Sequence, residues 1–230
     1  MIGTNAKRVV HMTSVHSPVD GRIFEKECKT LAAAGYDVTI IAPTERNFVA
    51  DGVRIKAVRR LETRFKRMTI TPWALYRAAL KERADVYHFH DPELTVIALL
   101  LKIAGKRVIW DLHEDVPADI LSKEYLPRKL RGLLATLAKL VQLLTRNVFD
   151  ASLAATPRIA SNLSGRKTVV IRNYPIVEQR ELEDRRYTTR PKNAIYIGSI
   201  SRVRGISEMV KAMGMPSIPH DSRLVIAGEF

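Results

Sequence analysis

Residues 85–115 read DVYHFHDPELTVIALLLKIAGKRVIWDLHED. The pattern is strand, helix, strand: Asp85 to His90, an apolar helix near Pro92 to Ala104, then Lys106 to Leu112. Both strands are short apolar runs that end in ionisable residues. The first carries His88, His90 and Asp91; the second carries Asp111, His113, Glu114 and Asp115. In an open α/β sheet, ligands bind just beyond the carboxyl ends of parallel strands. Two neighbouring strands tipped with histidines and carboxylates therefore predict one edge of a working cleft.

Outward from this stretch the same rhythm holds. Lys7 to Thr13 predicts a first strand, buried on both faces. A loop with His16, Asp20 and Gly21 follows, then a helix over about Arg22 to Ala34 that stops at Gly35. Val38 to Ala42 predicts a second strand and Val53 to Val58 a third. The βαβ order implies parallel strands. A basic stretch (Arg59, Arg60, Arg64, Lys66, Arg67) is interleaved with Phe65 and Met68, and a helix runs from about Pro72 to Glu82. Pro127 to Val148 predicts a long helix, then Ala151 to Ala155 a strand, Pro157 to Leu163 a helix and Thr168 to Ile171 a strand. Residues 178–192 are charged and aperiodic, as a linker would be. The rhythm restarts with strand Ala194 to Ile197, helix Ile206 to Met213 and strand Arg223 to Ala227. The expected organisation is a Rossmann-like domain over 1–177, a linker over 178–192, and the start of a second such domain over 193–230.

The chain has 230 residues, 46% hydrophobic, with a net charge of +14 and one cysteine, Cys28. That is a cored protein, and a lone cysteine fits a reducing compartment. No apolar run is long enough for a membrane span, and no leader precedes the first strand. The expected location is the cytoplasm, or the inner face of the cell membrane. Such a charge favours anionic partners. Nucleic acid is disfavoured: aromatics make up 7% of the chain, and no reader motif or stacking platform is present. No G-x-G-x-x-G follows the first strand, which argues against a nicotinamide dehydrogenase.

The segments HSPVDGRIFEKECKTLAAAGYDVTIIAP (16–43), DVYHFHDPEL (85–94), VIWDLHED (108–115) and YIGSISRVRGISEMVKA (196–212), in this order, resemble a bacterial retaining glycosyltransferase of family 4. The resemblance implies an α/β fold of GT-B type, with a doubly wound parallel sheet in an acceptor-binding domain and a nucleotide-sugar domain after it. It implies that His113 lies beside the reacting sugar as the catalytic candidate. The family's diphosphate-contacting pattern falls on Gly198, Ser199, Arg204 and Gly205, with Ser199 in place of a family arginine and Arg204 in place of a lysine. The family's acidic donor-sugar motif would fall beyond Phe230, so part of the donor site is expected to be missing. The substrate would be a nucleotide-diphosphate sugar of hexose type, the acceptor a polysaccharide or lipid-linked saccharide, and no cofactor would be needed. Arg204 and His113 are expected to face one another across a cleft.

Each assignment has a plainer reading. Asp20 and Arg22 fit acceptor binding, but an Asp before a helix is also a common N-cap. His90, Asp91 and Glu114 fit acceptor contact. His88 and His90, two apart on a strand, share a face; with Asp91 they also permit a metal-dependent hydrolase. A non-catalytic acceptor-binding module is the remaining alternative. In the long helix, Leu130, Leu133, Leu134, Leu137, Leu140, Val141 and Leu144 line one side, while Arg128, Lys129, Arg131, Lys139 and Arg146 supply cations with no acid among them. A solvated face is the ordinary reading; an anionic bilayer surface is the sharper one.

Overall fold

The structure is a computed structural model and describes residues 6–123, 125–163, 167–176 and 191–229. Most of the linker expected over 178–192 thus lies outside the described residues. The chain divides into two compact units, Met1–Ile176 and Val177–Phe230.

In the first unit, strands β1 (Arg8–Met12), β2 (Asp37–Pro43), β3 (Phe48–Ala50), β4 (Val53–Val58), β5 (Val86–Phe89), β6 (Arg107–Leu112), β7 (Ala151–Ala154) and β8 (Thr168–Val170) form one sheet. Their order is β3-β4-β2-β1-β5-β6-β7-β8, parallel throughout except for β3. The helices are α1 (Lys29–Ala33), α2 (Arg64–Thr69), α3 (Thr71–Glu82), α4 (Thr95–Ile103), α5 (Val116–Ser122), α6 (Arg128–Thr145) and α7 (Pro157–Leu163). Alternation along the strands divides the core in two. Val10, Met12, Tyr87, Phe89, Val108, Trp110 and Leu112 face one side, where they pack with Leu75 of α3 and Ile97 and Leu101 of α4. On the other side Val38, Ile40, Val53 and Ile55 meet Ile23, Phe24 and Cys28. Each fully buried side chain of this size contributes about 1.5–3 kcal/mol.

Three features depart from the sequence reading. The helix expected over 22–34 opens as a π-helical turn, Ile23–Cys28, before becoming α1. Asp20 caps this turn, its Oδ1 accepting from the backbone N–H of Arg22 (2.7 Å) and Ile23 (2.9 Å). The amides of Glu25 and Glu27 reach back five residues, to the carbonyls of Asp20 and Arg22. Residues five apart then lie one turn above each other, so Arg22 and Glu27 both turn toward the sheet. Second, β3 makes an antiparallel hairpin with β4 through Asp51 and Gly52, at φ of +46° and +76°. Positive φ at both central residues is why Asp-Gly suits this turn. Third, α2 and α5 are short helices to which the sequence reading assigned no element.

The second unit contains β9 (Asn193–Ile197), α8 (Ile206–Met213) and β10 (Arg223–Ala227), with β9 and β10 parallel. Gly228 packs directly on Gly198. A Cβ on Gly228 would lie 1.7 Å from the Gly198 carbonyl oxygen, so no other residue fits there without moving the backbone.

Candidate functional site

The strand order of the first unit reverses beside β1: β2 and β4 extend to one side, β5 and β6 to the other. A crevice opens at such a switch point, at the carboxyl ends of the strands. His11, His88, His90 and Asp111 all lie on the face covered by the π-helical turn, because each is offset by one residue from the apolar set on the opposite face. His11 pairs in register with His88.

Asp111 is the hub. It is fully buried and accepts two hydrogen bonds from Arg22, at 3.0 Å from Nε and 2.7 Å from Nη2. His90 Nδ1 lies 3.1 Å from the same carboxylate, and His113 Nδ1 3.4 Å. Burial alone would raise the Asp111 pKa. The contacts from His113, His90 and Arg22 outweigh it and hold the carboxyl far below the usual carboxylate range. Arg22 also donates to the Ile171 carbonyl at 3.1 Å. Arg22 therefore does not line a cleft as an acceptor ligand; it is 7% exposed and committed to Asp111. The cause is the π-helical turn, which a regular helix over 22–34 would lack.

Above this hub, His113 Nε2 sits 3.1 Å from His16 Nε2. His16 Nε2 is also 3.3 Å from Asp91 Oδ1, and His16 Nδ1 is 3.6 Å from Asp20. The hydrogen bond to Asp91 raises the His16 pKa despite partial burial. Asp91 is held by the Thr13 hydroxyl (2.7 Å) and the Ser14 backbone N–H (2.6 Å). Burial pushes its pKa up, but hydrogen bonds from His16 and Thr13 bring it below the ordinary value. His113 thus meets His16 through Nε2 and faces Asp111 through Nδ1.

His90, Asp91, Asp111, His113 and Glu114 border a cleft of about 480 Å³, walled by Arg64, Arg67 and Tyr125. Arg64 donates to the Tyr125 hydroxyl at 2.6 Å and stacks on its ring. Glu114 is exposed, and His113 keeps 17% of its side chain open. The structure brings the expected residues His90, Asp91, His113 and Glu114 together at this cleft, with Asp20 one contact away through His16. The sequence reading missed His11, His16, Glu27 and Asp111 as parts of one network. The available signal was the strict alternation of ionisable and apolar residues in HMT, YHFHD and WDLHE. The set His88, His90 and Asp91 does not converge: Asp91 turns to Thr13, Ser14 and His16, whereas His88 is buried facing Glu27.

In the second unit, Gly198 follows β9, and the Ser199 carbonyl accepts from the Tyr196 hydroxyl at 2.8 Å. A 3-10 turn, Arg202–Arg204, leads through Gly205 into α8. Arg204 is exposed one residue before that helix cap.

Helix α6 buries only Ala135 and Thr145. Leu133, Leu137, Leu140 and Leu144 are 47–67% exposed. Arg128, Lys129 and Lys139 are exposed, but Arg131 and Arg146 are not free cations: they donate to the carbonyls of Leu121 (3.2 Å) and Leu163 (3.4 Å). Among the described residues no helix is long and apolar enough to cross a membrane.

Residues 21–174 match the sequence model of Glycosyltransferase Family 4. Solved structures with a similar fold include sucrose-phosphate synthase from Thermosynechococcus elongatus (TM-score 0.66, 14% identity, 96% of this chain and 62% of that one). HepE from Anabaena, in complex with UDP and glucose, is similar at a TM-score of 0.59 and 12% identity, over 96% of this chain and 61% of that one. The catalytic domain of Starch Synthase IV from Arabidopsis thaliana, bound to ADP and acarbose, gives 0.56 and 12%, over 97% and 69%. At such identities the likeness is one of fold, and the chain spans about three fifths of the first two structures. No curated protein sequence matches the chain.

Proposed function

The chain belongs to glycosyltransferase family 4, and from that premise we propose that it takes part in moving a hexose-type sugar from a nucleotide-diphosphate donor to a saccharide or lipid-linked acceptor, with retention of configuration. The observation that carries this reading is the cleft at the strand tips, where His113, partly open to that cleft, stands above a buried Asp111–Arg22 pair. Three of the similar structures carry UDP, ADP or thymidine diphosphate.

The chemistry suits these groups. Glycosyl transfer develops positive charge on the sugar ring and negative charge on the departing diphosphate. In the present assignment His113 Nε2 exchanges its contact with His16 for a sugar hydroxyl, while Asp111 orients the ring from the Nδ1 side. Asp91 and Glu114 meet acceptor hydroxyls. Arg204 and the open N–H groups at the start of α8 hold the diphosphate, where fixed donors are most effective on developing charge. A guanidinium can engage two phosphate oxygens at once, which offsets the serine at position 199. The test is transfer from a panel of nucleotide sugars, with donor hydrolysis as the second readout. His113→Ala should cost on the order of 10²–10³ in kcat, the scale of one preorganised donor. Unchanged kcat in that variant would remove the site from the mechanism. Absence of both turnover and nucleotide binding in the complete reading frame would favour the binding-module reading.

We further infer that the acceptor is met at an anionic membrane surface. The exposed leucines of α6, flanked by Arg128, Lys129 and Lys139 in a chain of charge +14, support this.

A further inference from the structure

Beneath the cleft, on the face covered by the π-helical turn, four side chains converge that the transfer reading leaves unused. His11 and His88 stand side by side on β1 and β5 with ring centroids 4.6 Å apart, and His90 lies 4.6 Å from His88 and 5.2 Å from His11. Glu27 approaches from above. The three histidines are at most 4% exposed and the Glu27 side chain 10%.

Around Glu27 the spacing is too long for hydrogen bonding and suits something larger than a proton. Glu27 Oε2 is 3.9 Å from His11 Nδ1 and 3.8 Å from His88 Nδ1, beyond hydrogen-bond reach. Glu27 Oε2 has no hydrogen-bond partner among the described residues, while Oε1 lies 3.1 Å from Arg22 Nε. His11 Nδ1 and His90 Nε2 are 3.0 Å apart, and one ligand atom from each of the four residues lies within 4.8 Å of all the others. Bonds of about 2.0–2.1 Å to a tetrahedral ion imply ligand–ligand separations of roughly 3.3 Å. Three of the separations, 3.0, 3.8 and 3.9 Å, straddle that value.

We propose that His11, His88, His90 and Glu27 form a binding site for a divalent transition-metal ion, zinc by its donor set, that pins the π-helical turn to strands β1 and β5. Three imidazoles and one carboxylate are borderline donors of the kind zinc takes, and four protein ligands make a closed, structural site rather than a catalytic one. The outer shell is already in place. His90 Nδ1 lies 3.1 Å from Asp111, so Asp111 accepts its proton and leaves Nε2 free to coordinate, the carboxylate–histidine–metal arrangement. A second group, His90, Asp111 and His113, also has ligand spacing. It is the poorer site, because the Arg22 guanidinium already holds both Asp111 oxygens and repels a cation there. At Glu27 the guanidinium sits 3.1 Å from Oε1, which leaves Oε2 for the ion. Because the site is enclosed, the ion enters as the chain folds.

The experiment is metal analysis of the intact chain expressed with added zinc, followed by chelator stripping and thermal unfolding with zinc alone added back. The expected result is close to one zinc per chain, a Tm that falls on stripping and recovers with zinc, and visible absorption of tetrahedral type when cobalt replaces zinc. Glu27→Gln and His88→Asn should lose the stoichiometric ion, and Asp111→Asn should weaken zinc binding by about 10–100-fold. His113→Ala should keep it. Zinc affinity is read by chelator competition, and only on variants whose circular dichroism shows them folded. No bound metal with no Tm response to zinc would overturn the proposal, as would full stoichiometry in folded Glu27→Gln or loss of the ion in folded His113→Ala. Activity is not a readout here, so failure of this proposal is distinguishable from failure of the transferase reading.

Discussion

Replacing Arg22 by Met tests whether the buried ion pair organises the first unit. The substitution keeps an unbranched apolar stem but removes two hydrogen bonds to Asp111, at 3.0 and 2.7 Å, and one to the Ile171 carbonyl at 3.1 Å. Bonds to charged groups contribute about 1.5–3 kcal/mol each, so the two to Asp111 amount to roughly 3–6. Direct accounting of a half-broken buried pair gives about 3–5 kcal/mol, because the orphaned carboxylate stays out of water. The two routes agree on a loss near 4 kcal/mol. For a unit of this size that is a fall in Tm of roughly 8–16 °C, at about 2–4 °C per kcal/mol. Urea unfolding followed by circular dichroism, with matched slopes, measures it. Asp111→Leu in the Arg22→Met background should recover part of the loss, since it removes the orphaned Asp111 charge. A cost below about 1 kcal/mol for Arg22→Met would refute the reasoning, because that is the value of a solvated surface pair.

Other outcomes follow from the same structure. Gly228→Ala should disorder the pairing of β9 with β10, since the added Cβ meets the Gly198 carbonyl oxygen at 1.7 Å; hydrogen exchange confined to residues 193–229 should rise steeply, and an unchanged pattern would contradict the packing. The raised pKa of His16 implies that its pairing with Asp91 is fully present below about pH 6.5 and is lost as pH rises through the higher folded value. His16→Gln should therefore cost stability at pH 6 and little at pH 9, with equal costs at both pH values counting against the pair. Changing Arg128, Lys129 and Lys139 to Glu should abolish co-sedimentation with anionic vesicles, at about 1 kcal/mol per cation removed from the surface; no binding by the wild-type chain would end the membrane proposal.

Much of the first unit was legible because parallel strands buried on both faces are short apolar runs, and these punctuate the chain at regular intervals. The strands near 8–12, 37–43, 53–58, 86–89 and 107–112 fall where that pattern puts them. Strand β3 was not legible by hydrophobicity, being three residues long, although Asp51-Gly52 carried its turn signal. The rim residues His90, Asp91, His113 and Glu114 could be read as strand-tip groups. Arg22 could not, since nothing in the local pattern announces a π-helical turn. The leucine stripe of α6 illustrates the opposite limit. Its period is plain in the sequence, yet whether it faces a core or stays open depends on what packs beside it.

Local order in the chain was enough for the element types, the parallel sheet and the ionisable strand tips, because these depend on periodicities of two and 3.6 residues and on which residues end a strand. Only the tertiary structure decided which ionisable groups share a pocket. His11, Glu27, His88, His90 and Asp111 come from three strands and one helical turn, separated by up to 100 residues. Their mutual approach and common exclusion from water exist only once β1 lies between β2 and β5 and the turn at 23–28 closes over that face.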